Sequence, residues 1–205
     1  MNLYEQYILP ELIQRVCSNK HFHEKRQSII PLATGRVLEI GMGSGTNLPF
    51  YNDKQVEHIL ALEPSDRLRK KALQQSAHIN IPLELCATGA EDIPLDRHSI
   101  DTIVTTFTLC SVTEVEKALE EMRRVLKPEG SLLFCEHGLA PENNIQKWQN
   151  RINPWWKKIA GGCHLNRDIH TLIQQSGFSM DETDHQYMQG PKTFSYVYKG
   201  IARPR

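Results

Sequence analysis

The chain has 205 residues with 24 basic and 24 acidic side chains, so its formal net charge at pH 7 is zero. This length suffices for a domain with a substantial buried core, and the neutral balance argues against nucleic acid as a partner. The five cysteines include no Cys-x-x-Cys pair, which argues against a disulfide framework and a structural zinc site, so we expect no bound metal.

Residues 1–34 are expected to form two short helices that pack on the sheet or cover a ligand site. The first follows Pro10 and has one apolar face between Leu12 and Cys17, and the second runs from Glu24 to Ile30. No apolar run in the chain approaches the roughly 18 residues of a transmembrane helix, and the N-terminus does not resemble a secretory signal. We therefore expect a cytoplasmic protein.

Short apolar runs that favour β-strands then alternate with helical patterns, which predicts a mostly parallel sheet with helices on both faces. The five runs cover residues 36–40, 56–62, 82–86, 100–107 and 131–135. A helix is expected after the second run, at residues 66–77.

The clearest helix pattern lies between the fourth and fifth runs. Thr113 and Glu116 match a capping box, and apolar residues recur with helical spacing from Val115 to Leu126. We expect an i, i+4 ion pair within Glu120–Arg124 and a helix end at Pro128–Gly130.

The C-terminal part adds a helix at residues 167–175 and two β-like runs at 178–187 and 194–202. The segment between these runs contains Gly190 and Pro191 and is too short for a helical crossover. The two runs are therefore predicted to form an antiparallel pair.

A glycine-rich motif follows the first run. Three alternate glycines, Gly41, Gly43 and Gly45, permit a sharp turn and a close approach of a ligand, and we expect a helix directly after them. The spacing differs from the Gly-x-Gly-x-x-Gly of dinucleotide sites, and Glu39 precedes the first glycine by two residues. A carboxylate there would repel a pyrophosphate and attract an ammonium group, such as the one of S-adenosylmethionine (SAM).

A second acid, Glu63, ends the second run, 18 residues after Gly45. An acid at this place accepts hydrogen bonds from the two ribose hydroxyls of a nucleotide-like ligand. Because dinucleotide folds share this spacing, Glu63 alone indicates only a nucleoside.

Five motifs across about residues 35–135 resemble, in order and spacing, those of class I SAM-dependent methyltransferases. They are Leu38–Gly45, Leu62–Ser65, Ala90–Pro94, Ser99–Val104 and Arg124–Gly130. The resemblance implies a doubly wound, Rossmann-like seven-stranded α/β sheet whose last strand is antiparallel. It also implies a single domain with a helical cap (1–34), a SAM-binding half (35–135) and a substrate-side half (136–205).

The same resemblance implies the cofactor contacts. The residues expected to hold the amino acid part, the ribose, the adenine and the methyl-donor side of SAM are Glu39, Gly41, Gly43, Gly45, Asn47, Glu63, Pro64, Ala90, Glu91, Thr106 and Thr108. The chain departs from the family at Gly89, where many members have an Asp. The adenine amino group then needs another acceptor, either Glu91 or a backbone carbonyl.

Three further motifs are similar to the alkyl-thiol methyltransferases and to bacterial relatives grouped with quinone and phospholipid methyltransferases. They are Phe107–Val112, Phe134–His137 and Gly162–Arg167. A thiol, a quinone precursor and a phospholipid amine all remain open as the small, lipophilic acceptor. The animal members carry an N-terminal hydrophobic anchor that is not evident in this sequence, so their membrane attachment is not carried over.

The acceptor must lose a proton, and histidine is a suitable base. His137 ends the fifth run, at the edge where such sheets bind ligands, and is our candidate for the catalytic base. A structural histidine bonded to the backbone is an equally open interpretation. His164 lies in a Gly-Gly-Cys-His loop expected to fold over the substrate.

Residues 145–158 hold all three tryptophans and four basic residues without an acid. Three interpretations stay open. The rings pack on the sheet, or Trp155 and Trp156 line a substrate pocket as part of a lid, or the segment makes transient contact with a membrane surface.

Two other functions are weighed against a methyltransferase. An NAD(P)-dependent oxidoreductase shares the strand–glycine start, and a catalytically silent SAM-binding module shares every motif. Nucleic-acid methylation is disfavoured because Thr106–Leu109 lacks the Asn-Pro-Pro-Tyr type of motif that holds a flipped base. The oligomeric state is not predicted.

Overall fold

The computed structural model describes residues 19–205, and the helix predicted after Pro10 lies outside the described residues. The strands are β1 Gly35–Ile40, β2 Val56–Leu62, β3 Leu83–Cys86, β4 Ile100–Thr106, β5 Leu126–His137, β6 Phe178–Tyr187 and β7 Tyr196–Pro204. The α-helices are α1 Lys20–Gln27, α2 Asp66–Ser76, α3 Val115–Val125, α4 Asn143–Ile159, α5 Ile169–Gln175 and the single turn α6 Lys192–Ser195.

The strands form one seven-stranded sheet in the order β3-β2-β1-β4-β5-β7-β6. Strands β1 to β5 pair in parallel, whereas β7 runs antiparallel to both β5 and β6. The predicted Rossmann-like sheet with an antiparallel last strand is confirmed. The strand order reverses between β1 and β4, and the carboxyl ends of parallel strands at such a point form a ligand-binding crevice.

Both faces of the sheet are covered. On one face Leu38 and Phe134 belong to a core that includes Met122 of α3, and on the other Val37 belongs to a core that includes Ala72 of α2. Because residues 37–40 of β1 are buried on both faces, this part of the strand is nearly continuous in apolar residues rather than alternating. The exception at the end of the strand is Glu39.

The glycine turn does not lead into an α-helix, contrary to the prediction. A short 3₁₀ turn, Leu48–Phe50, follows instead. Pro49 has no N–H to donate within a helix, and the side chains of Asn47 and Tyr51 are both bonded to Glu39. The backbone N–H groups that this region can offer to a ligand are therefore those of the glycine turn, and not those of a helix N-terminus.

The predicted helix is confirmed as α3, with its apolar residues buried, but the capping box and the ion pair predicted for it are wrong. The helix begins at Val115 after Glu114, and no side-chain cap bond forms, so Thr113 is not the capping residue. Arg124 pairs with Glu121, at 2.7 Å from Nε to Oε1, rather than with Glu120. Its guanidinium also donates to two main-chain carbonyls on the loop before β4, which pulls it to that side.

Several boundaries differ from the prediction, including the start of α5 at Ile169 instead of residue 167. Pro128 and Gly130 lie within β5, which begins directly after α3, rather than ending the helix. The second N-terminal helix is α1, which starts and ends earlier than Glu24–Ile30. β7 begins only at Tyr196 because the N–H of Phe194 turns back to the carbonyl of Pro191. Within residues 19–205, no helix combines the length and apolar character needed to cross a bilayer.

Candidate functional site

The glycine turn lies at the carboxyl end of β1 and is fixed to β2. Gly41, Gly43 and Gly45 have φ values of 66°, 60° and 82°, the left-handed region that disfavours other residues. The N–H of Gly41 donates to the carbonyl of Leu62 at 2.9 Å. The alternate glycines are therefore required by the backbone path.

The three glycines differ in what surrounds them. A Cβ at Gly41 would collide with the side chain of Thr108, and one at Gly45 would lie 2.8 Å from Cδ1 of Leu48. A Cβ at Gly43 would meet no atom within 4 Å. Gly41 and Gly45 therefore serve packing, whereas Gly43 faces open space that a ligand can occupy.

Glu39 lies beneath the turn with 1% of its surface exposed. Its Oε1 accepts from Nδ2 of Asn47 at 2.8 Å and its Oε2 from the hydroxyl of Tyr51 at 2.7 Å. The same Asn47 amide donates to Thr106 at 3.0 Å. Burial raises the pKa of Glu39 to about 7, against the opposing effect of these bonds and of the Arg26 charge.

Glu63 lies next to the open glycine. Its Oε2 accepts from the N–H of Gly43 at 2.9 Å, and its Oε1 accepts from the N–H of Ser65 at 2.9 Å. Burial raises its pKa, although these two bonds and the charge of Arg69 favour the carboxylate. The exposed Pro64 directly follows it. The predicted ribose-binding acid is thus fixed at the edge of the space over Gly43.

In the segment predicted to contact adenine, the side chain of Glu91 lies next to Gly89. Ala90 is buried in the core. The Oε2 atom of Glu91 lies 2.5 Å from the place that a Cβ at Gly89 would take. Since many relatives are expected to have an Asp at Gly89, the carboxylate of Glu91 occupies the place where that side chain would begin.

The end of β4 carries a strained residue. Phe107 has a φ of 54°, which is uncommon outside glycine and is maintained only by surrounding contacts. Its ring lies 4.5 Å from the ring of Phe22, and the guanidinium of Arg26 lies 5.5 Å from it. Helix α1 therefore covers this end of the sheet.

Glu136 is a fully buried acid that organises the loop after β4, a role that the sequence did not suggest. It accepts from the Thr105 hydroxyl at 2.7 Å and from the N–H of Thr108 at 2.9 Å. Burial raises its pKa to about 6, opposed by these bonds and by two further backbone N–H groups. The signal in the sequence was an acid within an apolar strand, because such an acid needs several donors.

His137 lies at the end of β5 beside two thiols. Its Nδ1 is 3.7 Å from Sγ of Cys163, and no described residue offers a hydrogen-bond partner to its buried Nε2. The Cys110 thiol contacts both residues, and its contact with Cys163, together with burial, raises its pKa well above the usual value. Within residues 19–205, no three His, Cys, Asp or Glu side chains are arranged to hold a metal ion.

His164 belongs to the same neighbourhood, since its N–H donates to the carbonyl of Cys110 at 2.8 Å. Burial and the charges of Arg167 and Lys157 lower the pKa of His164 to about 4. Arg167 in turn donates to the carbonyl of Leu109 and fixes the loop after β4. His164, which was predicted to contact the substrate, therefore lies in the same cluster as His137, Cys110 and Cys163.

The tryptophans of the other predicted substrate segment diverge. The ring of Trp156 is half-buried, 4.7 Å from the ring of Phe194. Trp155 is 72% exposed and contacts Lys158. Trp148 is exposed on the same helix, so only Trp156 fits the expectation that the rings pack inward.

The comparisons with known proteins agree with this geometry. A family model described as a methyltransferase domain matches residues 38–134. The human thiol S-methyltransferase TMT1B is 31% identical over 195 residues, which is 89% of this chain and 78% of the human protein. Across the rat, human and mouse proteins of that name, the match spans 62% to 78% of their length.

A bacterial relative and a solved structure extend these similarities. The demethylmenaquinone methyltransferase of Clavibacter sepedonicus is 30% identical over 75% of this chain and 65% of its own length. The N-methyltransferase NodS of Bradyrhizobium japonicum, solved with S-adenosylhomocysteine (SAH), superposes with a TM-score of 0.74. At 16% identity over 98% of both chains, this likeness shows a shared fold.

Proposed function

The chain belongs to the SAM-dependent methyltransferase family that includes human thiol S-methyltransferase TMT1B, and we propose that it methylates a small, lipophilic thiol. Membership confirms the predicted enzyme class and the cofactor SAM. The thiol is our choice among the three predicted acceptors, and the observation that carries it is the buried, unpartnered Nε2 of His137.

The residues around Gly43 fit SAM. The space over this glycine admits a close ligand, and Glu63 at its edge is suited to accept from ribose hydroxyls. Glu39 supplies negative charge beneath the turn for the ammonium group. In our proposal Glu91 accepts from the adenine amino group in place of the missing Asp. When bound, SAM supplies a methyl group that is already activated on a sulfonium.

The protein then has to orient the acceptor and exclude water. The loop after β4 is suited to orient it, because Glu136 and Arg167 fix its backbone from two sides. Phe107 in its strained conformation, under Phe22 and Arg26, supplies an apolar cover. These contacts support in-line placement of a nucleophile at the carboxyl edge of the sheet.

A thiol also needs a base, because even a cysteine thiol, whose usual pKa is about 8.5, is mostly protonated at neutral pH. We assign this role to His137 in the tautomer whose Nδ1–H is directed at the sulfur of Cys163. Its Nε2 lone pair is then free to accept the proton of the acceptor. His164 suits the role poorly, since a pKa of about 4 makes it a weak base.

The experiment that tests this function is transfer of a deuterated methyl group from SAM, with products identified by mass spectrometry. The acceptors are a medium-chain alkyl thiol, the matching alcohol, a demethylated quinone and phosphatidylethanolamine. We expect the methyl thioether as the main product and no ether from the alcohol.

Two results would contradict the proposal. Methylation of the quinone or the phospholipid with an inert thiol would assign one of the other acceptors. SAH binding without turnover on the whole panel would favour the silent binding module.

A further inference from the structure

Helix α4 buries two amides on its inner face and exposes two of its three tryptophan rings. Gln149 is fully buried and its side chain bonds the backbone of Ala140, Gly138 and Thr193. Asn153 is also buried, and its Oδ1 accepts from the N–H of Leu165 at 2.9 Å. Polar contacts to neighbouring loops therefore fix the inner face of the helix.

The outer face carries a stripe of apolar side chains. Trp148, Trp155 and Ile159 are 55%, 72% and 57% exposed, and they are three of the five large exposed apolar side chains within the described residues. At 3.6 residues per turn, these three positions lie within roughly 40° of one another around the helix. A row of large apolar side chains facing water is costly, which indicates that this face binds another surface.

A basic stripe runs beside the apolar one. Arg151 lies 5.8 Å from the Trp148 ring, and Lys158 lies 5.4 Å from the Trp155 ring. Lys147 falls on the same side of the helix, and the sequence has no acid between Glu142 and Asp168. In a chain with zero formal net charge, this is a local concentration of positive charge next to exposed aromatic rings.

The helix ends beside the proposed acceptor site. The loop after Ile159 carries Cys163, which contacts His137, and His164, whose N–H is bonded to Cys110. A surface that binds the outer face of α4 would therefore lie near the side of the site that receives the acceptor.

We propose that the outer face of α4 docks on an anionic phospholipid surface. This face comprises Lys147, Trp148, Arg151, Trp155, Lys158 and Ile159. Tryptophan rings are favoured at the level of lipid headgroups, and basic residues are attracted to an anionic leaflet. The docking stands on the helix face, whereas a role in taking up lipophilic acceptors from the lipid rests on the proposed function.

The test is co-sedimentation of the full chain with vesicles of phosphatidylcholine alone or with one third phosphatidylglycerol. We expect at least about tenfold tighter binding to the anionic vesicles, weakened by added salt. The double variant Trp148→Gln/Trp155→Gln and the triple variant Lys147→Gln/Arg151→Gln/Lys158→Gln should each lose this preference. In the wild-type protein, tryptophan emission should shift to the blue on binding.

The matched control lies on α2, which is also basic and exposes an apolar residue. Leu73 is 54% exposed and the Lys70 side chain is 73% exposed. The variant Lys70→Gln/Leu73→Gln should bind vesicles like the wild type. SAH titration on every variant separates the two proposals, because loss of docking with intact SAH binding concerns α4 alone.

Three results would overturn the docking. The first is equal binding to neutral and anionic vesicles, and the second is equal loss in the α2 and α4 variants. The third is self-association of the wild type, abolished by Trp148→Gln/Trp155→Gln without any vesicle binding, which would assign the face to a second copy of the chain.

Discussion

The proposed cofactor side and the proposed acceptor side of the site are built differently. Around the glycine turn, Glu39 and Glu63 each bond two partners through both carboxylate oxygens. Three of these four partners lie within 12 residues of the acid in the sequence. On the acceptor side, the ring of His137 contacts the thiols of Cys163 and Cys110, and its Nε2 has no partner among the described residues. Its neighbours Cys110 and Cys163 come from distant segments.

This difference separates two tasks. The cofactor side is preorganised by backbone and buried acids, so substitutions there should act on cofactor affinity. The acceptor side leaves one nitrogen of His137 without a partner among the described residues, so substitutions there should act on the rate of the chemical step.

The largest effect is expected for His137→Gln. Loss of a general base typically lowers a rate by about 100-fold to 10,000-fold, so kcat for thiol methylation should fall within that range while SAH affinity is unchanged. Steady-state kinetics with SAM and an alkyl thiol measure it. His164→Gln is the matched control and should retain most of kcat, because its low pKa already makes it a poor base.

The next effect concerns Glu39→Ala, which removes the acid beneath the turn. The donors of Asn47 and Tyr51 lose their acceptor, and the ammonium group of the cofactor loses a charge, so SAH affinity should fall about 100-fold. Fluorescence or calorimetric titration measures the affinity. Glu39→Gln should lose less, and a native circular dichroism spectrum of both variants is the control. Unchanged affinity in the Ala variant would contradict the assignment.

A smaller effect is expected for Glu91→Ala. Removal of one acceptor for the adenine amino group should weaken SAH binding by about tenfold. The double variant Gly89→Asp/Glu91→Ala should regain much of the affinity, because an Asp at that place restores an acceptor without meeting the Glu91 carboxylate. If the double variant binds no better than Glu91→Ala, the acceptor is a backbone carbonyl instead.

The smallest effect concerns pH. The pKa of Glu39 in the free protein is about 7, so this carboxyl becomes neutral as the pH falls below 7. Because a nearby ammonium group favours the charged form, SAH affinity should fall as the pH decreases through 7, by at most about tenfold per unit. Titrations between about pH 8 and 6 measure it, and Glu39→Gln should flatten the dependence. The same slope in that variant would exclude Glu39 as its source.

Most of the sheet was predictable because each strand carries its own local signal. The double-sided burial of residues 37–40 makes this part of β1 apolar except for Glu39, and Gly190 and Pro191 leave no room for a crossover between β6 and β7. The glycine turn was readable because its three left-handed residues lie in one short stretch.

The errors arose where a distant partner determines the outcome. Arg124 pairs with Glu121 because carbonyls about 30 residues away in the sequence bind its guanidinium. The apolar spacing of the helix carries no information about these carbonyls. The expected helix after the turn is absent because Pro49 and the Tyr51–Glu39 bond favour a 3₁₀ turn. Tyr51 and Glu136 were missed as site residues for the same reason, since their partners are set by the fold.

The most direct measurement is calorimetric titration of SAH, and separately of NADH, into the wild-type protein and His137→Gln. The account predicts saturable SAH binding at one site with equal affinity in both proteins, and no binding of NADH. Binding of NADH, absence of SAH binding, or loss of SAH affinity in His137→Gln would contradict the division of the site into a cofactor side and an acceptor side.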